Sequence, residues 1–592
     1  MSLNTSLLEL LQNKIDITHV PFSDRDSRLL VYQHADKPSL YIKLAERLIK
    51  VEPGIESYQG RPPFIDDLCF IDEHKNMLDF NTYTSAEMVR FQSRVGDFRL
   101  VFQDLNTLVF GIPDHTIAGI RFRIRPTHWH KTDSGGELRH IRNAIYRINN
   151  GRVVANQAQS DENSLLVEFI VQAESDCSAA IHIGDDSAPA QVPFSVAYTN
   201  TQVRWKKWFD SVPDVNETYR EKYAYAWWVM ANNLISPMGY VTREAMMPTK
   251  AFYVGVWLWD SALHAIAYRH IDPELARDQI RVMLDHQLSD GMLPDAIFDE
   301  GIVSEIHHPF HAHVTKPPIL AWAALKIHET APNLDFLREI YAPLKRCNAW
   351  WFKANDDDGD GIVQYTHPYS SGLDDSPLWD HGMPVESPDI NTYLIIQMNS
   401  LAIIAEALGK TDEAHRWRKK AKLLGNRMIK HFWDEKAGLF QALHNEKPIP
   451  VITPVNLYPL WTGQLPDKIT KRLLAHLTDP DEFWGRFGLP TTAFNGPTYN
   501  PEKMWRGPVW ANINYFFIEA LQKIGEHQLA AELRDKTLHL IASQPGIREY
   551  YNSQTGEPPA SAALIFGWTA AVFIELTLQV NMEDHSRPMR QN

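Results

Sequence analysis

The sequence predicts an antiparallel β-sandwich over residues 1–210, followed by an all-helical double-layered barrel over residues 211–592. Three observations carry this reading. The 592 residues are too many for one hydrophobic core. From about residue 25 to 205 the apolar pattern is short and strand-like. From about residue 215 it changes to a helical period.

In the first half, residues 27–32 (SRLLVY), 98–102 (FRLVF), 117–124 (IAGIRFRI), 165–171 (LLVEFIV) and 192–198 (VPFSVAY) read as strands, and Asn149, Asn150 and Gly151 read as a turn. In the second half, helices are expected over 217–235, 256–270, 273–288, 315–330, 334–354, 390–408, 411–432, 467–477, 512–524, 529–542 and 564–578. They come in pairs joined by long loops rich in aromatic and acidic residues. No fixed repeat length is visible, which favours a closed barrel over an open solenoid. Long structured loops in a compact domain carry function, so a site is expected at one mouth.

Composition narrows the chemistry. The chain carries 18 Trp, 21 Tyr and 26 Phe beside 73 acidic residues. Indole faces pack on sugar C–H faces while carboxylates accept hydroxyls; a large aromatic core uses the same residues. A net charge of −15 argues against nucleic acid and polyanionic substrates. Cys69, Cys177 and Cys347 are far apart and odd in number, as free thiols in a reducing compartment would be. The N-terminal residues show no signal-peptide pattern, and no stretch is long and apolar enough for a membrane span. A cytoplasmic location is the expectation.

Five loop segments carry candidate chemistry. GVWLWDS opens a helix; Asp260 is either its N-cap or a sugar-binding carboxylate, with Trp257 and Trp259 as core residues or platform. NDDDGDGIVQ places Asp356, Asp358 and Asp360 at the alternate positions of a calcium loop, although its twelfth position is His367 rather than Glu. In YSSGLDDSP, Asp374 and Asp375 are adjacent carboxyls, and repulsion or partial burial would keep one protonated, as a general acid requires. MWRGPVWANINY sets Trp505 and Trp510 around Arg506, Gly507 and Pro508. REYYNSQTGEP places Glu549 between Arg548 and Tyr550, where the cation favours an ionised base. Each also has a structural reading: a cap, a polar turn, an acidic turn, an aromatic corner and a salt-bridged strand. The cluster His307, His308, His311 and His313 reads as a polar loop, with no matching ligand set evident in the spacing.

The ordered series WLWDSALHAIA, SDGMLPD, PPILAWA, DDDGDGIVQY, SGLDDSP, MWRGPVWANINY and EYYNSQTGEP…FGWTA resembles glycoside hydrolase family 63 and its relatives across about residues 216–580. That group includes processing and bacterial α-glucosidases and the mannosylglycerate and glucosylglycerate hydrolases. The resemblance implies an (α/α)6 barrel and hydrolysis with inversion, with Asp374 as general acid and Glu549 as general base. It further implies that Asp260 binds sugar hydroxyls and that Trp259, Trp505, Arg506, Gly507 and Trp510 line the same subsite. No cofactor is expected for the chemistry; some relatives bind calcium. Many relatives have Asp-Asn-Ser-Pro-Arg where this chain has Asp374-Asp375-Ser376-Pro377-Leu378. Asp375 is thus a rival acid, and Leu378 removes an Arg able to contact substrate.

The expected function is cleavage of a terminal α-glycoside, most simply an α-glucoside. The alternatives are a glycerate glycoside, for which Arg243, Lys250 and Lys316 are candidate partners, and a phosphorylase, an epimerase or a non-catalytic carbohydrate-binding toroid.

Overall fold

The computed structural model describes residues 5–47, 60–126, 128–139, 142–161, 164–185 and 187–586. Its contacts divide the chain into two compact units, Met1–Ser236 with Thr249–Val254, and Pro237–Pro248 with Gly255–Asn592.

The first unit is built on strands β1 Leu29–Gln33, β2 Leu40–Leu44, β3 Ile65–Asp72, β4 Phe80–Thr84, β5 Val89–Ser93, β6 Gly96–Asp104, β7 Thr107–Gly111, β8 Ile117–Ile124, β9 His128–Thr132, β10 Gly135–Arg139, β11 Ala144–Asp161 and β12 Ser164–Ile183. Rather than two separate sheets, hydrogen bonds join all twelve strands into one antiparallel sheet. The reason lies in β12. Its first half pairs with β8 and its second half with β7, while β11 follows its other edge throughout. One long hairpin therefore belongs to both arms of the sheet. The arms meet over Phe70 of β3, which stacks on Phe98 of β6 at 4.1 Å and touches Phe91 and Phe110.

The Asn149-Asn150-Gly151 segment is a register shift inside β11, opposite a looser stretch of β12, not the end of a strand. Asn150 takes φ 63°, and the register shifts between Asn149 and Gly151 where β12 changes partners. Residues 192–198 are likewise not a strand. They open helix α1, Phe194–Asp210, whose buried Phe194, Ala197, Thr201, Trp205 and Trp208 follow a helical period too long for that seven-residue window to reveal. Helix α2, Arg220–Asn232, also lies in the first unit, and Trp208 of α1 donates its indole N–H to the Trp227 carbonyl. By contacts, the first unit thus extends past residue 210, where the change of pattern begins.

The second unit contains α3 Leu258–Tyr268, α4 Pro273–Leu284, α5 Leu320–Thr330, α6 Leu334–Ala354, α7 Pro388–Ala407, α8 Thr411–Phe432, α9 Asp467–Leu477, α10 Ala511–Lys523, α11 His527–Ala542 and α12 Gly567–Ser586. Helices α3, α5, α7, the short 3-10 helix Tyr458–Thr462, α10 and α12 contact one another in sequence, and α12 returns to α3. That closes an inner ring of six elements, with α4, α6, α8 and α11 packed outside it. Inner helices such as α7 are buried nearly all round, whereas α8 exposes Arg416, Arg418, Lys419 and Lys420 on a solvated outer face. At the α3–α12 seam, Arg269 donates to both oxygens of Glu575 at 3.0 and 2.9 Å, and His270 lies at 2.8 Å. These partners hold the buried Glu575 carboxyl down at about 2 against the cost of desolvation. Cys69, Cys177 and Cys347 are buried free thiols.

Candidate active site

The site is assembled by the loops of the second unit, which interlock through specific backbone contacts. Helix α3 begins at Leu258, whose N–H donates to the Asp295 carbonyl at 3.1 Å. This brings the Trp257–Asp260 loop to the strand Ala296–Phe298, with Trp257 opposite Ala296. The helix is capped by Trp257 without a side-chain bond, so Asp260 is not its N-cap. It stands in the first turn, where the helix dipole favours an acid, and is buried.

The loop carrying Asp374 is fixed at three points. Lys316 donates to the Tyr369 carbonyl at 2.6 Å, and the Thr315 N–H meets Ser370 Oγ at 3.3 Å. Gly372, at φ 74°, lies so close to Trp259 that a Cβ would sit 2.4 Å from the indole. That explains the Gly of SGLDD: only glycine accepts both the left-handed backbone and the contact. Asp375 Oδ1 then accepts the Trp505 N–H at 2.8 Å.

Beyond this loop, Val509 and Tyr551 exchange backbone hydrogen bonds at 2.7 and 3.0 Å, joining the Trp505–Trp510 loop to the Glu549 segment. Glu549 is clamped at both ends by Ala563: its N–H donates to the Ala563 carbonyl at 2.9 Å, and its Oε2 accepts the Ala563 N–H at 3.1 Å.

Aromatic rings form one wall. Trp505 stacks on Trp510 at 3.6 Å, and Trp510 on Tyr550 at 4.7 Å. Trp259 meets Trp568 edge-on at 5.3 Å, and Trp568 reaches Trp510 at 5.5 Å. These rings are packed on one another, whereas Trp257, Tyr369 and Trp379 keep partial exposure. Gly507 is a packing residue, since a Cβ there would meet the Asn500 carbonyl at 2.7 Å. Arg506 grips Asp380 with two hydrogen bonds at 2.7 and 2.5 Å and approaches Asp375 at 4.0 Å. Arg548 donates to the Ala562 carbonyl at 3.4 Å.

The electrostatics centre on Lys316. Its buried ammonium pairs with the buried Asp295 at 2.8 Å. Burial pushes Asp260 up to about 7, reinforced by Asp295 and Asp374 and opposed by Lys316. Burial likewise pushes Asp374 up to about 7, against Lys316 and helped by Asp295 and Asp375. Asp374 Oδ1 has no hydrogen-bond partner among the described residues. Asp375 differs: its carboxyl is raised by burial, but Trp505 and Arg506 anchor it. Three members of this site lay outside the sequence-derived site set. Asp295 ends SDGMLPD and Trp568 lies in FGWTA, so motif membership was their only signal. Asp380 is identified only by its pairing with Arg506.

Asp356, Asp358 and Asp360 sit in the turn after α6, with one oxygen of each within 4.8 Å of the others. They accept the N–H groups of Gly361, Asp360 and Ile362 respectively, and Asp356 Oδ1 is buried with no hydrogen-bond partner among the described residues. Glu386 and His431 approach Asp360 from other elements, with His431 Nδ1 3.6 Å from Asp360 and its Nε2 2.8 Å from Glu386, while His367 packs on Phe310 and Tyr369. The three turn carboxylates themselves offer oxygen donors of the kind that suit a hard divalent cation.

A mannosylglycerate hydrolase of Thermus thermophilus is 28% identical over 404 residues, covering 55% of this chain and 95% of that protein. The crystal structure of a GH63 mannosylglycerate hydrolase from Thermus thermophilus in complex with glucose matches 60% of this chain and 98% of its own, with a TM-score of 0.52 at 26% identity. A bacterial glucoamylase complexed with acarbose matches 98% of this chain and 94% of its own, with a TM-score of 0.56; at 12% identity it shows the fold alone. The model of the mannosylglycerate hydrolase MGH1-like glycoside hydrolase domain matches residues 253–569, more than half of the chain, and this protein belongs to that glycoside hydrolase family.

Proposed function

We propose that the protein is an inverting α-glycosidase in which Asp374 protonates the departing oxygen and Glu549 activates water on the opposite face of the sugar. The state of Asp374 carries the reading. Its half-buried carboxyl holds a proton up to about pH 7, and Oδ1 has no hydrogen-bond partner among the described residues. Once the proton has gone, the new carboxylate is stabilised by Lys316, whose charge favours the ionised form. Glu549 is held in place through Ala563. Asp260 suits the role of sugar-hydroxyl ligand, and the buried Trp505–Trp510–Tyr550 stack backs the apolar side of the subsite.

For the substrate, we favour a neutral α-glucoside of an oligosaccharide or small glycoside. Recognition of a glycerate carboxylate calls for an uncommitted cation. Lys316 is committed to Asp295, and Arg243 to Asp285 and Asp278. Lys250 lies in the first unit, bonded to Ser23 and the Asp24 carbonyl. Leu378 is buried and uncharged. The second reading, a mannosyl- or glucosyl-glycerate, is favoured by the likeness to mannosylglycerate hydrolases.

A panel of α-linked disaccharides and both glycerate glycosides, assayed with and without phosphate, decides among these. Phosphate-independent release of free sugar, lost by orders of magnitude in Asp374→Ala and Glu549→Ala, is the expected result. Near-normal turnover in either variant removes that residue from its role, and a phosphate requirement would make the enzyme a phosphorylase. The acidic turn at Asp356, Asp358 and Asp360 is proposed as a structural Ca2+ site, with no part in the chemical step.

A further inference from the structure

Between Asp295 and Lys316 the chain runs out and back as an antiparallel ribbon. The strand Ala296–Phe298 pairs with Gly301–Val303, and Glu305–Ile306 then pairs with Ala312–His313. The register sets Glu305 opposite His313 and Ile306 opposite Ala312. Side chains alternate between faces along a strand. Glu305 and His307 on the outgoing arm therefore share a face with His311 and His313 on the return arm.

The side chains meet accordingly. His313 Nδ1 lies 3.5 Å and His311 Nε2 3.9 Å from Glu305 Oε1. The rings of His307 and His311 stack with centroids 4.7 Å apart and planes 11° apart. One ligand atom from each of Glu305, His307 and His311 falls within 4.8 Å of the other two. All four side chains are exposed, so an ion reaches them without opening the core. The sequence spacing alone suggested no ligand set; the ribbon register supplies Glu305 as the missing member.

We propose that Glu305, His307, His311 and His313 form a binding site for a first-row transition-metal ion. Imidazole nitrogens with one carboxylate suit a borderline divalent cation such as Zn2+, in contrast to the all-oxygen turn at Asp356. The base of the ribbon carries Asp295 and Lys316, and Phe310 at its tip meets His367 at 4.9 Å. A bound ion crosslinks the two arms of the loop that borders the active site.

The test is titration of the full, untagged chain with Zn2+, read by calorimetry and by elemental analysis after dialysis. The wild-type chain should bind with micromolar affinity or tighter, and the His307→Ala/His311→Ala double variant should bind one Zn2+ fewer per chain. Unchanged thermal unfolding and unchanged turnover of the metal-free variant would exclude misfolding as the cause. No saturable binding to the wild-type chain, or equal stoichiometry in the two proteins, would overturn the proposal.

Discussion

Asp260, Asp295 and Asp374 are three desolvated carboxyls facing one buried ammonium, Lys316, with Asp375 and Tyr369 at the edge of the group. One cation cannot offset three anions at low dielectric, so near neutral pH the cluster retains protons and titrates as a unit. The Asp295 carboxylate raises Asp374. Asp295→Asn should therefore move the alkaline limb of the kcat/KM profile to lower pH, by roughly one pH unit. An unmoved limb would detach Asp374 from that ionisation. Asp260 yields a stability prediction. Its folded carboxyl takes its proton at about 7, above the ordinary 3.8, so the stability it contributes is full only below 3.8 and is lost progressively as pH rises to 7. Asp260→Asn should raise thermal stability at about pH 8, by on the order of 1–3 kcal/mol more than it does at about pH 5. Turnover should fall at both. A gain of equal size at the two pH values would contradict the shifted titration.

Elements were legible in proportion to how sharply their apolar residues segregate to one face. Helices α6, α8 and α9 have the boundaries that the apolar period predicts, because each presents a clear amphipathic stripe. Residues 192–198 misled because a β-rich window of seven residues conceals the start of a seventeen-residue helix. The β11–β12 hairpin misled because its register shift carries turn residues inside a continuous strand. The Asp356–Asp360 turn shows what a local motif reveals: it suggests a cation loop, but not that Glu386 and His431 approach Asp360 from other elements. If that turn holds Ca2+, removal by a chelator should lower the thermal unfolding midpoint, and added Ca2+ should restore it. A midpoint insensitive to both would refute the site.

At the scale of the whole molecule, the ring closure from α12 back to α3 brings loops far apart in sequence into one site. The order of motifs identified those loops, while the contacts among them required three dimensions. Asp375 shows the limit. Adjacent acids at 374 and 375 are equivalent as sequence, and only burial and the Trp505 N–H tell them apart. Among the described residues no helix is long and apolar enough to cross a membrane. The central claim is that Asp374 and Glu549 act on opposite faces of an α-linked sugar. Proton NMR of the first sugar released by the wild-type enzyme tests it most directly: the β-anomer should appear first and mutarotate afterwards, and initial release of the α-anomer would contradict the mechanism.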